Sequence, residues 1–171
     1  GDLDVVAMVF NFLDILAHGR SQSDILQEIA PNESAFRSLM RSWFSHSALL
    51  EILRKISRLG ATAVITTDHG SILGQKASLV HGNRETSTNL RYKFGENING
   101  DPKQSLLIRR PADFRLPAEG PAKNYILARE NYYFVYPTRF HEYEKQYQGT
   151  FQHGGISLEE MIVPCITMTP R

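Results

Sequence analysis

A chain of 171 residues, 42% of them hydrophobic, can bury one ordinary core and is too short for two comfortable domains. Its net charge of +1 sets up no broad field that would by itself draw it to nucleic acid or an anionic membrane, so partners must be read from local sites. The single cysteine, Cys165, excludes an intrachain disulfide and points to a reducing, cytoplasmic compartment. No apolar stretch approaches the ~20 residues of a membrane span, and the start has no basic segment of the signal-peptide kind.

Residues 5–13 (VVAMVFNFL) are apolar on both faces, the pattern of a central strand in a sheet covered on both sides. A short helix is expected over residues 21–30. Pro31, Asn32, Glu33 and Ser34 then open a longer one reaching about Leu59, with Gly60 as its stop. Residues 61–66 (ATAVIT) are again apolar and β-branched, and the order strand, helix, strand implies a right-handed crossover and a parallel pair. The fold class expected is α/β, with a central, mostly parallel sheet flanked by helices.

Beyond Gly74 the chain turns polar and Gly/Asn-rich as far as Gly100. Short strands are expected at 106–109, 125–128 and 132–136, with Pro111, Pro117, Pro121 and Pro137 as punctuation. Residues 75–148 therefore read as an elaboration within one domain spanning 1–171. A last strand is expected over 160–167, with Cys165 as a buried bystander thiol in its apolar run.

Three local patterns carry chemistry. Asp14 and His18 are four residues apart where the first apolar run ends, so a carboxylate and an imidazole face one pocket if the chain turns helical there. Asp68 and His69, within Thr66-Thr67-Asp68-His69-Gly70, follow the second apolar run directly, and strand ends of open α/β sheets line a ligand crevice. The bland alternative makes Asp68 a helix cap beside an incidental histidine. His153 stands between Gln152 and the pair Gly154-Gly155, whose small size leaves its imidazole unobstructed. One Asp and two His from separate segments form a three-ligand set with an open position, as in catalytic zinc sites, and Asp68 with His69 would begin a second site. His46 reads as a helix packing or capping residue, and His81 and His141 as solvated.

The ordered set of Asp14 and His18, then Thr67-Asp68-His69-Gly70, then Gln152-His153-Gly154-Gly155 resembles the metal motifs of the alkaline phosphatase superfamily in its PglZ branch. Longer phrases at Ser42 to Ser47 (SWFSHS), Val64 to Ser71 (VITTDHGS), Leu90 to Asn97 (LRYKFGEN) and Thr150 to Ile162 (TFQHGGISLEEMI) are similar to the C-terminal part of PorX-type two-component response regulators. The resemblance implies that Asp14, His18 and His153 hold one metal, and that Asp68 and His69 supply two ligands of another. The ions would be Zn2+, with Mn2+ also suited to such ligands.

It further implies a cytoplasmic phosphodiesterase or phosphatase output domain in type IX secretion or gliding regulation, acting on a nucleotide or oligonucleotide phosphoester. A sensor histidine kinase would act through a receiver domain, and a homodimer is a further expected partner. That receiver domain and the nucleophile-bearing segment match nothing in this sequence, so the chain is expected to be the C-terminal portion of the hydrolase domain, inactive alone. Thr66 and Thr67 read as the end of a strand rather than the nucleophile. Arg91 and Lys93 are candidates for meeting an anionic substrate, against a solvated or structural role. The competing reading is a non-catalytic docking or dimerising module with a structural metal, and the blandest is an α/β domain with chance histidines.

Overall fold

The computed structural model describes residues 5–20, 23–83, 89–117, 120 and 122–170. The expectations placed on Gly1, Ser21 and Pro121 lie outside the described residues.

The first helix, α1 (Phe12–Arg20), starts inside the run expected to be a strand, and residues 5–10 before it adopt no regular structure. The reason is the lack of a partner: no described strand lies beside the run, and Val5 is 83% exposed. An apolar run becomes a strand only where neighbours take up its amides and cover its faces. Next come α2 (Asp24–Ile29) and α3 (Glu33–Ser45), whose first turns are capped by Ser23 and Asn32.

The long helix expected to reach Leu59 is broken in two, with α4 spanning Ala48–Arg58. Ser47 is the cause: its hydroxyl donates to the Phe44 carbonyl at 2.8 Å and accepts the Leu50 amide, ending one helix and capping the next. His46 is the C-cap of α3, as its position suggested. At the far end Gly60 takes φ +70, the left-handed geometry of a helix stop.

Strand β1 (Ala63–Thr66) follows, then β2 (Ile72–Gly74), β3 (Lys76–His81), β4 (Tyr92–Glu96), β5 (Asn99–Gly100), β6 (Ser105–Ile108), β7 (Lys123–Ala128) and β8 (Tyr132–Val135). Helix α5 (Phe140–Tyr147), strand β9 (Thr150–Gln152), the one-turn helix α6 (Leu158–Met161) and strand β10 (Cys165–Met168) complete the chain. The three short strands expected in the elaboration thus correspond to β6, β7 and β8.

The sheet is where expectation and structure part. Among the described residues, instead of one central parallel sheet there are four small ones, β1-β10, β2-β9, β5-β3-β8 and β4-β7-β6. Only β3 and β8 run parallel; the other described pairings are antiparallel. The crossover expected before β1 is absent among the described residues because β1 pairs with β10 from the other end of the chain, Thr66 opposite Cys165. The strand expected from residue 160 is shortened to β10, since Ser157 and Glu160 form a reciprocal capping box that winds α6 first. Cys165 is exposed rather than buried, because all four positions of β10 face solvent.

Among the described residues two apolar clusters hold the fold. Val80, Ile98, Ile126, Ala128 and Phe134, from the two three-stranded sheets and the turn before β5, form one of them, so the stretch expected to be an elaboration has a core of its own. Leu16, Ala30, Phe36 and Phe151 form the second, which seats α1, α2 and α3 against β9. Full burial of the Val, Leu, Ile and Phe side chains among them is worth about 1.5–3 kcal/mol each. Among the described residues no helix is long and apolar enough to cross a membrane.

Candidate metal centre

Asp14 and His18 lie one turn apart on α1, whose buried Leu16 fixes which face turns to the second core. His153 comes directly after β9, which packs on α1. The helix and the loop thereby bring a carboxylate and two imidazoles together. Asp14 Oδ1 is 3.3 Å from His18 Nε2 and 3.8 Å from His153 Nε2, and the two Nε2 atoms are 3.2 Å apart. All three ligand atoms lie within 4.8 Å of one another.

Nitrogen and oxygen donors at about 2.0–2.1 Å from a tetrahedral ion stand about 3.4 Å from each other. The observed separations straddle that value, so the residues fit a divalent cation of zinc type with room for a further ligand. Burial holds the His153 imidazole below its usual pKa, and its neighbour His69 lowers it further, while Asp14 opposes them. The result favours the neutral ring, which is the form that ligates.

The second pattern reaches the same place. The ring of His69 stacks on that of His153 with centroids 3.7 Å apart and planes 9° from parallel. His69 Nδ1 lies 3.0 Å from the Gly70 carbonyl oxygen, an acceptor that places the proton on Nδ1 and leaves Nε2 with its lone pair. Asp68 Oδ1 is 3.8 Å from that Nε2, on an exposed side chain. Hydrogen bonding by main-chain amides and the adjacent His69 hold the Asp68 carboxyl below its ordinary pKa. Thr66 Oγ1 donates to the Pro164 carbonyl at 2.8 Å and Thr67 Oγ1 to the His69 carbonyl at 3.0 Å, so both hydroxyls serve the loop's shape.

Arg91 and Lys93, the candidates for meeting an anionic substrate, are both buried. Arg91 is 0% exposed, its guanidinium bonded to Glu160 and to the carbonyls of Ala128, Glu130 and Tyr132. Lys93 donates to the Asn89 carbonyl at 2.9 Å and lies over the Tyr136 ring. Alternation along β4 turns Lys93 inward, and Arg91, just before the strand, is held by Glu160 and the β7–β8 carbonyls, a placement that charge alone could not reveal. His81 and His141 are exposed as expected. Sequence reasoning passed over Glu160, whose carboxylate lies beneath the His153 loop; the spacing Ser157-x-x-Glu160 was the available signal.

Residues 1–168 match the family model described as BREX system PglZ alkaline phosphatase-like domain. No curated protein matches the chain. The match covers nearly every residue and includes all three patterns, so the chain belongs to the PglZ alkaline phosphatase-like family.

Proposed function

We propose that this domain is a metal-dependent phosphoesterase acting on a nucleotide-type phosphodiester or monoester, as the output domain of a response regulator. Family membership supports the coarse part, since alkaline-phosphatase-like domains are phosphoesterases. The observation that carries the metal dependence is the convergence of Asp14 Oδ1, His18 Nε2 and His153 Nε2 within 4.8 Å.

Asp14, His18 and His153 would hold a Zn2+ ion, and Asp68 with His69 would supply part of a second site. Bound there, such ions polarise the phosphoryl oxygens and neutralise charge that develops on them. The protein's own residues prepare the centre. The depressed pKa of His153 keeps it neutral near pH 7, and the Gly70 carbonyl fixes the His69 tautomer. The Asp68 carboxyl stays ionised.

A docking or dimerising module with a structural metal is the second reading. Exposed apolar side chains favour it: Val64 on one face of the β1-β10 ribbon, Ile166 and Met168 on the other, and Ile162 just before it. Elemental analysis and hydrolysis of bis-p-nitrophenyl phosphate test the first reading, in this chain and in the full-length protein, each beside His18→Ala. Metal in the parent and loss of hydrolysis in the variant, with self-association unchanged, support the phosphoesterase. A full-length protein that binds no metal, or a variant that loses nothing, leaves the docking module in its place.

A further inference from the structure

Glu160 is 4% exposed, and each of its oxygens is engaged. Oε1 accepts from the Gly155 amide at 2.9 Å and from Arg91 Nε at 2.8 Å. Oε2 accepts from the Ser157 amide at 3.1 Å, the Ser157 hydroxyl at 2.8 Å and Arg91 Nη2 at 2.6 Å. Its main-chain carbonyl accepts from the Gly70 amide at 2.9 Å. Gly155 lies two residues beyond His153, and Gly70 follows His69 directly. One residue therefore bonds to both loops that carry the stacked imidazoles.

The loops approach too closely for any larger residue at those points. A Cβ on Gly70 would overlap the Glu159 carbonyl, and one on Gly155 would press on the Arg91 guanidinium and stand 2.7 Å from the Ala128 oxygen. Arg91 in turn is tied to carbonyls at the end of β7, in the turn that follows and at the start of β8, beside the core of the three-stranded sheets. A simple helix cap would need only the Ser157 contacts. The bonds to Gly155 and Gly70 exceed that requirement.

We infer that Glu160, braced by Arg91, is a positioning residue that sets the separation of His69 from His153 and with it the spacing of the two metal sites. Its last step rests on the metal-centre reading; the placement of the rings does not. Burial alone would raise the Glu160 carboxyl, but Arg91, Gly155 and Ser157 together keep it below its usual pKa, so the charged acceptor is the resident form.

The test compares Glu160→Gln with Ser47→Ala, which removes a helix cap remote from these loops. In metal-free protein, the nuclear Overhauser contact between the His69 and His153 ring protons is expected to vanish in Glu160→Gln and to persist in Ser47→Ala. Zn2+ titration is expected to show affinity falling about 10–100-fold in Glu160→Gln alone, the usual effect of removing a group behind a ligand. Retention of the ring contact in folded Glu160→Gln overturns the inference, whatever the metal does. If the parent binds no Zn2+ while Glu160→Gln loses the contact, the positioning role stands and the phosphoesterase reading falls. Should Glu160→Gln fail to fold, Arg91→Met with Glu160→Met removes both charges together and leaves neither orphaned. A persistent ring contact in that double variant overturns the inference equally.

Discussion

Phe12 and Trp43 lie face to face, with ring centroids 4.2 Å apart and planes 8° from parallel. The stack fixes the first turn of α1, which carries Asp14, against α3. Trp43→Ala is expected to cost about 1–3 kcal/mol, less than a fully buried tryptophan because the ring is only half-buried. It should also weaken Zn2+ binding, since Asp14 and His18 would lose their support. Urea unfolding and a metal titration on the same variant check both effects; a loss of stability with unchanged affinity would mean that α1 is held by Leu16 and β9 alone.

Gly70 has no space for a side chain, because its position abuts the main chain of Glu159 and Glu160. Gly70→Ala is expected to destabilise by about 1–3 kcal/mol, the range of overpacked sites, and to displace the Asp68-His69 loop. Gly60→Ala is the comparison: that site is open but has φ +70, so only backbone strain operates and the His69–His153 contact should survive. Denaturant unfolding with histidine ring spectra separates the two cases.

Lys93 supplies the pH dependence. Burial lowers its pKa from 10.5 to about 8, so between those values the folded protein binds fewer protons than the unfolded chain. Stability contributed by this group therefore rises with pH across that window, and the cost of burying the ammonium is complete below about pH 8. At about 1.4 kcal/mol per pH unit, the gap from 10.5 to about 8 corresponds to at most about 3 kcal/mol. Tyr133 has the opposite sense: burial, and then Glu144, push it up to about 12, so its contribution is lost from its unfolded value of 10.0 upward. Unfolding free energies measured in steps between pH 8 and 10 should rise in the parent and stay flat in Lys93→Met.

The sequence was informative about the site because ligand chemistry is local. Asp14 and His18 needed only one helical turn to be read as neighbours, and the glycines beside His153 marked it as a residue that could join them, as the structure places it. The sheet was less legible. Residues 5–13 have strand composition, but pairing is a property of neighbours, and no described strand is there to accept them. The β1-β10 pairing joins segments whose separation hides it from any local pattern. Ser47 and Ser157 each carried a readable cap signal that a smooth apolar period obscured. The burial of Arg91 and Lys93 was hidden because charge is usually exposed, and only the tertiary contacts of Arg91 and the alternation of Lys93 along β4 show otherwise.

The pairing of Thr66 with Cys165 closes a long loop that contains both histidine-bearing segments and all of the chain between them. Closing so long a loop costs chain entropy that nearby contacts do not incur, so hairpins such as β6-β7 have every advantage in forming sooner. The order of assembly then runs from the middle of the chain outward. The ligand loops are set in place late, and an amide-exchange experiment should find them opening at lower free energy than β7 and β8 beneath them.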